Sequence, residues 1–501
     1  MKKAVRFKRK PLNINDITII DDNKLRKAII AAALGNAMEW FDFGVYGFLA
    51  YVLGQVFFPD ASPSIQVVAA LATFSVPFLV RPLGGLVFGV LGDKLGRQKI
   101  LSVTIIIMSL STFCIGLIPS YSTIGIFAPL LLLLAKLAQG FSIGGEYSGA
   151  AIFVAEYSPD RKRGFMGSWL DFGSIAGFLV GAGLVVLLSS ILGKVAFHDW
   201  GWRIPFLFAL PLGLIGLYLR HALEETPAFQ QHTNEMESNE NTNTANPPKM
   251  TFKAIFTQYW KSLLVCVGLV IITNVTYYML LTYMPSYLSH NLNYRADHGV
   301  LIIIAIMIGM LFVQPMIGFI SDKIGCRSFI VGGSLGLLIL AYPAFMMINS
   351  DVIGLIFIGL LILAVLLNCF TGVMASILPA IFPTSIRYSA LAIAFNISVL
   401  IAGATPTVAA WLVEASGDLY MPAYYLMVVA LVGLVTGIKM KETANKPLRG
   451  ATPAASDRSE AKEILSDHFD SIEQKVEDIQ QQIDTLQKQR QDLVDQHPKL
   501  D

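Results

Sequence analysis

The sequence predicts an all-α integral membrane protein. It has twelve transmembrane helices in two pseudo-symmetric six-helix halves, plus a C-terminal cytoplasmic coiled coil. Three observations carry the prediction. Of 501 residues, 54% are hydrophobic and only 14% charged, with mean hydropathy +0.60, whereas soluble proteins carry about 25% charged residues. Twelve apolar runs are each long enough to cross a bilayer as a helix, the form that satisfies backbone polar groups in lipid. Loop motifs recur between the two halves at nearly one spacing. The same composition excludes other classes. A net charge of +2 does not suit a nucleic-acid partner, and 4 cysteines staple nothing in a chain of this length.

Residues 1–27 form a polar N-terminal tail with Lys2, Lys3, Arg6, Lys8, Arg9, Lys10, Lys24, Arg26 and Lys27. The run that follows carries Glu39 and Asp42, unlike the short charge-free core of a secretory signal, so it reads as a retained first span. The first half covers 28–220, with runs at 28–53, 65–91, 99–118, 124–154, 164–192 and 202–220. Residues 221–258 are a linker whose QQHTNEMESNENTNTANPP stretch reads as a flexible loop. The second half covers 259–440, with runs at 261–288, 298–320, 328–348, 351–381, 387–413 and 421–439. Residues 441–463 are a second linker, and the coil covers 464–497. Lys94, Arg97 and Lys99 follow span 2, and Arg161, Lys162 and Arg163 follow span 4, while the loops after spans 1, 3, 9 and 11 have no Lys or Arg. The positive-inside bias then places both termini in the cytoplasm.

Gly89-x3-Asp93-Lys94-x-Gly96-Arg97 reappears as Gly318-x3-Asp322-Lys323-x-Gly325, displaced by 229 residues. Pro159-x3-Arg163 reappears as Pro383-x3-Arg387, displaced by 224, and Glu225-Thr226 as Glu442-Thr443, displaced by 217. Two repeated six-helix halves imply a transporter with its site between them. There is no Walker motif, the 7 histidines and 4 cysteines are scattered, and no nucleophile–base set is apparent. The expectation is a non-enzyme without cofactor or metal, driven by an ion gradient.

The 89–99 loop resembles the signature loop of the major facilitator superfamily. Lys136-x2-Gln139-Gly140 with Gly144-Gly145 is similar to its fourth-helix motif, with Lys where Arg is usual. GNAMEWFDFGVYGF at 35–48, RPLGG at 81–85 and EYSPDRKRG at 156–164 resemble the metabolite–proton symporter branch. Nearly the whole chain is similar to the osmoregulatory proline/glycine-betaine proton symporters of that branch. Cys326 departs from the pattern, which has a basic residue there. The resemblance implies the major facilitator fold, alternating access, protons as the coupling ion, and spans 1, 4, 7 and 10 lining the cavity. It also implies that Asp93, Arg97, Asp322 and the basic residues at 161–163 are gating groups.

Ionisable residues inside a membrane are costly and default to function. Glu39 and Asp42 share one helix face, and a carboxylate there can load and release a proton. The alternative is that either simply pairs with Lys136 or Arg81. Lys136 and Arg81 could each bind a substrate carboxylate, Lys136 at the better depth, or else form a structural pair with Glu39, Asp42 or Glu146; Arg81, Glu146 and Arg163 are read with the gating and structural set. Asp171, beside Trp169 on span 5, is a further candidate, with a helix cap or interhelical hydrogen bond as the leading reading. A quaternary ammonium is recognised by aromatic faces, which points to Asn36, Trp40, Phe43 and Tyr46 on span 1 and Asn274, Tyr277 and Tyr278 on span 7. Asn368 and Asn396 add polar groups on spans 10 and 11.

From Leu465 the apolar spacing becomes a heptad, with Phe469, Val476 and Ile483 at a and Leu465, Ile472, Ile479, Leu486 and Leu493 at d. Arg490 occupies an a position, where a charge helps specify register. Self-association into a homodimer is the expectation; docking on the same chain is the alternative. The leading function is proton-coupled import of proline, glycine betaine and similar zwitterions across a bacterial inner membrane, activated by hyperosmotic conditions, with contact to anionic lipids. The alternatives are a symporter for a dicarboxylate or other organic acid and a transporter-like membrane osmosensor.

Overall fold

A computed structural model describes residues 12–60, 63–221, 256–288, 292 and 296–496. Most of the 221–258 linker, including Glu225 and Thr226, lies outside the described residues. The chain is almost entirely helical. In the first half, α1 (Asp22–Phe57), α2 (Pro63–Leu95), α3 (Arg97–Leu117), α4 (Phe127–Tyr157) and α5 (Arg163–Ala196) lead to α6 (Ala209–His221). A π-helical turn, Phe197–Gly201, and a short helix, Arg203–Leu207, precede α6. In the second half, α7 (Trp260–Tyr277) continues as a π-helical stretch, Tyr278–Tyr283. After it come α8 (Ala296–Ile324), α9 (Cys326–Ile348), α10 (Ile353–Ile381), α11 (Arg387–Ala402, continued by Thr405–Ser416) and α12 (Met421–Lys439). Among the described residues, eleven helices are long and apolar enough to cross a membrane. Together with α1, which carries Glu39 and Asp42 and packs chiefly on α5, they make twelve.

Interruptions in spans 6, 7 and 11 are absent from the sequence reading, because each run is apolar throughout and hydropathy does not register a change of helix pitch. Small residues set the packing. Gly173, Gly177 and Gly181 form one face of α5, where an added Cβ would meet the α1 backbone at Ala33, Ala37 and Phe41 within 2.0–2.6 Å. Gly140 and Gly144 of α4 approach the α2 backbone at Pro77 and Arg81 equally closely. Without a hydrophobic drive between helices in lipid, such close contacts and the hydrogen bonds they allow are what hold a bundle together. They also fix the depth of the acidic residues on α1 and of Arg81 on α2.

The segments that precede and follow the twelve spans meet on one face of the bundle. There β1 (Thr18–Ile19) pairs in parallel with β2 (Ala454–Ala455). This is called the terminal face below. A single long helix, α13 (Arg458–Gln496), leaves it. Its first turn is capped by Asp457, whose side chain accepts from Ser459 N at 2.8 Å and Glu460 N at 2.9 Å.

Candidate functional site

A small buried cavity lies between the halves. It is lined by Glu39 and Trp40 (α1), Arg81 (α2), Tyr147 (α4), Asp171 (α5), Thr273, Asn274 and Tyr277 (α7) and Tyr278. Thr371 and Met374 (α10) and Phe395 and Val399 (α11) complete it. Arg81 forms an ion pair with Glu39 at 3.0 Å, with both side chains almost wholly buried. The pair leaves atoms over: Glu39 Oε2, Arg81 Nε and the Tyr277 hydroxyl are buried and make no hydrogen bond to protein. Aromatic rings from both halves converge here. Trp40 lies 4.5 Å from Tyr277 and 6.4 Å from Tyr278 between ring centroids. Tyr147 stacks on Phe395 at 4.5 Å. The site therefore offers a guanidinium N–H, a hydroxyl, two carboxylates and a set of π faces in a narrow, largely buried space.

The second acidic residue of α1 points elsewhere. Asp42 accepts from Lys136 at 2.9 Å, Lys136 also donates to Gln139 at 2.9 Å, and its ammonium sits 4.1 Å above the Tyr46 ring. These groups do not line the cavity. Glu39 and Asp42 thus take separate cations, and of the two cations that could meet a substrate carboxylate it is Arg81, not Lys136, that lines the cavity. Glu146 accepts from the Thr104 hydroxyl at 2.6 Å. Phe43 packs between Trp40 and Phe78 behind the cavity wall.

The asparagines fare differently from the sequence expectation. Asn368 donates to Met310 O at 3.0 Å, and Asn396 donates to Gly144 O at 2.6 Å and Ala392 O at 2.7 Å, so both serve helix packing outside the cavity. Asn36 donates to Leu170 O and to Ser174 Oγ, one side chain removed from Asp171. Only Asn274 lines the cavity, with its amide tied to Val270 O of its own helix. A lone asparagine in an apolar run marks a buried hydrogen bond, and a neighbouring carbonyl takes its amide N–H as well as a ligand does.

On the terminal face the repeated motifs form a matched pair of contacts across the halves. Asp93, at the end of α2, accepts from Tyr388 N at 3.2 Å and Ser389 N at 2.8 Å, the first turn of α11. Asp322, at the end of α8, accepts from Gly164 N at 2.6 Å and Phe165 N at 2.8 Å, the first turn of α5. Each aspartate caps a helix of the opposite half, where free N–H groups and the helix dipole favour a negative charge. Gly96 (φ 100°) and Gly325 (φ 96°) make the reversals that follow, a backbone region suited to glycine. Arg387 bonds Glu156, while its counterpart Arg163 bonds the neighbouring Asp160. Arg97 begins α3. Cys326 and Arg327 donate their backbone N–H groups to Glu442, so the second loop is latched by main chain.

The 442–455 segment laces the two halves together. Arg163 donates to Lys446 O, Arg387 to Arg449 O, Asn445 to Asp322 O, and Ala454 N to Asp160. Beyond it, Arg161 bonds Glu463 at 2.5 Å and Asp467 at 2.8 Å on the first turns of α13. Further along α13, Phe469, Ile479, Ile483 and Leu486 are 40–63% exposed and Arg490 is exposed; Ile472, Val476 and Leu493 lie on the same helix.

Comparison with known proteins decides the family. Residues 27–455 match the sugar (and other) transporter family. The chain belongs to that family. Residues 456–501 match the osmosensory transporter coiled coil. The "Proline/betaine transporter" of Escherichia coli (strain K12) is 73% identical over 99% of both chains. The "Glycine betaine/proline/ectoine/pipecolic acid transporter OusA" of Dickeya dadantii (strain 3937) is 72% identical over 99% of both. The proton:xylose symporter XylE bound to 6-bromo-6-deoxy-D-glucose aligns with TM-score 0.69 at 18% identity, over 85% of this chain and 98% of that one. The fold is therefore the twelve-helix major facilitator fold, and family membership makes the protein a membrane transporter, not an enzyme.

Sequence reasoning missed Tyr147, Phe395, Thr273, Thr371, Met374 and Val399 as cavity residues, while Asp171, expected to make an interhelical hydrogen bond, accepts one from Tyr147 and also lines the cavity. Tyr147 follows the Gly144-Gly145 pair and Phe395 precedes Asn396. Being beside a close helix contact is the one signal that could have singled them out.

Proposed function

We propose that this transporter is a proton-coupled symporter that imports zwitterionic osmolytes, proline and glycine betaine among them, across the bacterial cytoplasmic membrane. Both termini face the cytoplasm, following the basic loops, and hyperosmotic conditions activate import. The observation that carries this reading is the cavity in which Arg81 Nε, Glu39 Oε2 and the Tyr277 hydroxyl, all without protein partners, meet the rings of Trp40, Tyr277 and Tyr278. The curated relatives named for proline and betaine at 72–73% identity support it, as does the osmosensory coil match.

The groups suggest how proton and substrate are linked. The substrate carboxylate binds the Arg81 guanidinium and the Tyr277 hydroxyl, and the cationic nitrogen meets the aromatic faces. This displaces Glu39 from Arg81. A carboxylate stripped of its cation inside a membrane is neutralised by a proton, so zwitterion and proton load together. When the halves rock and the substrate leaves, Arg81 recovers Glu39 and the proton is expelled. Asp42 and Lys136 hold α1 to α4 beside this exchange. The exposed apolar stripe of α13 forms a homodimeric coil. The test is uptake of labelled proline and glycine betaine into proteoliposomes under an imposed pH gradient, with and without an osmotic upshift. Uptake that needs both supports the reading. Uptake of neither compound sinks it.

A further inference from the structure

Asp171 takes no part in the exchange between Arg81 and Glu39, yet its carboxylate lines the same cavity and is 8% exposed. Tyr147 donates its hydroxyl to Asp171 at 3.1 Å, and Ser174, which is bonded to Asn36 at 2.5 Å, supplies a second hydrogen bond. Both partners are neutral. Among the described residues no Lys, Arg or His pairs with Asp171, and the cavity's one guanidinium is held by Glu39. The cavity thus carries two carboxylates against one cation. A buried charge in this setting is balanced by an opposite charge or costs several kcal/mol.

We infer that Asp171 is the counter-ion for the substrate's ammonium group and sets the preference between substrates that bear an N–H and those that do not. This rests on the reading of the cavity as the zwitterion site. The charges then balance. With Glu39 protonated, Arg81 faces the substrate carboxylate, Asp171 faces the ammonium, and no charge is left over. The two carboxylates divide the work: one takes the proton, the other the cation. Selectivity follows from hydrogen-bond chemistry. The secondary ammonium of proline has two N–H donors, and Asp171 can accept from them. The quaternary nitrogen of glycine betaine has none and relies on the π faces of Trp40, Tyr277 and Tyr278, with Asp171 contributing charge alone. Tyr147 is a positioning residue: its ring is fixed against Phe395 and its hydroxyl holds the Asp171 carboxylate.

The experiment compares full-length wild type with Asp171→Asn, Asp171→Glu and Tyr147→Phe in proteoliposomes. KM is measured for proline, N-methylproline, N,N-dimethylproline and glycine betaine. The expected result is a KM for proline raised about tenfold or more in Asp171→Asn, from loss of a charge-assisted hydrogen bond. The effect falls with each added methyl and is below about threefold for the two quaternary compounds. Asp171→Glu recovers part of the proline loss. Tyr147→Phe shifts selectivity the same way to a lesser degree, and it serves as the test if the Asp171 variants do not reach the membrane. An equal rise in KM for all four compounds overturns the inference, as does unchanged KM. So does loss of gradient-driven accumulation with exchange intact, which would make Asp171 the proton carrier. Failure of the zwitterion reading shows separately, as wild-type protein that takes up none of the four.

Discussion

Glu156 at the end of α4 and Arg387 at the start of α11 meet at 2.5 Å, and neither side chain has any solvent exposure. The contact joins the two halves on the terminal face, and Arg387 also donates to Pro379 O, Phe382 O and Arg449 O. Every guanidinium nitrogen is therefore engaged. Removing one partner of such a pair leaves a buried, uncompensated charge, which costs about 3–5 kcal/mol.

That cost predicts a shift in which side of the protein is open. Glu156→Gln should weaken closure of the terminal face more than 100-fold, since about 1.4 kcal/mol is tenfold. Cys326 reports on it, because its thiol is buried at this face beside Ser376. In a variant keeping Cys326 alone, maleimide labelling should rise sharply with Glu156→Gln. Asp93→Asn or Asp322→Asn should raise it less, each weakening a cap by about 1 kcal/mol. Labelling that does not change with Glu156→Gln would mean the pair does not hold this face shut.

The two acidic residues of α1 should separate in function. Glu39→Gln leaves Arg81 free for substrate, so exchange of labelled for unlabelled substrate should persist while pH-gradient-driven accumulation is lost. Asp42→Asn instead leaves Lys136 buried without its anion, and the expected result is lower stability by about 3 kcal/mol or more. Adding Lys136→Met to Asp42→Asn should recover much of that loss, since it removes the orphaned charge. Thermal unfolding in detergent and paired exchange and accumulation assays separate the outcomes. Accumulation retained in Glu39→Gln would remove Glu39 from coupling.

Much of this arrangement was legible in the sequence. Lipid demands long apolar runs, so the spans announce themselves. The repeated Gly-x3-Asp loop foretold that Asp93 and Asp322 occupy equivalent places, and they cap α11 and α5 respectively. Glu39, Trp40, Asn274, Tyr277 and Tyr278 were singled out and do line the cavity. What the sequence hid is how side chains on different helices pair. Glu39 and Asp42 share a helix face, yet one reaches α2 and the other α4. Asn368 and Asn396 look like ligands in an apolar run, yet neighbouring carbonyls take their amide N–H groups.

The start of α13 should depend on pH only in acid. Hydrogen bonds from the Ser459 hydroxyl, then from the N–H groups of Glu460 and Ser459, hold the Asp457 carboxyl below its usual range. A carboxylate depressed in the folded state contributes stability that is fully present above its unfolded pKa, about 3.9, and is lost as pH falls through the folded value. Amide exchange at residues 459–462, corrected for intrinsic rates, should therefore show constant protection from pH 8 to about 5 and fraying below about 4. Asp457→Ala should abolish the acid step. Fraying between pH 8 and 6 in the wild type would exclude this cap as the controlling group.

The contact of Arg161 with Glu463 and Asp467 is the inverse of the buried gate. Its side chains are 33%, 65% and 69% exposed. Exposed pairs contribute about 0–1 kcal/mol each and are screened over about 8 Å at physiological salt. Docking of the first turns of α13 should thus weaken as ionic strength rises, while the proposed burial of Phe469, Ile479 and Ile483 against a second copy should not. Cysteines at 161 and 463 do not preserve the charges, so the probe pair belongs beside them, at Lys162 and Lys462. Spin-label distances between these sites should broaden between 50 mM and 500 mM salt. The charge swap Arg161→Glu with Glu463→Arg and Asp467→Arg should restore the narrow low-salt distribution that Arg161→Glu alone loses. Ile483→Glu should abolish cross-linking between copies and leave that distribution unchanged. If Ile483→Glu instead broadens it, docking and self-association are one event, and the electrostatic contact is not independent of the coil.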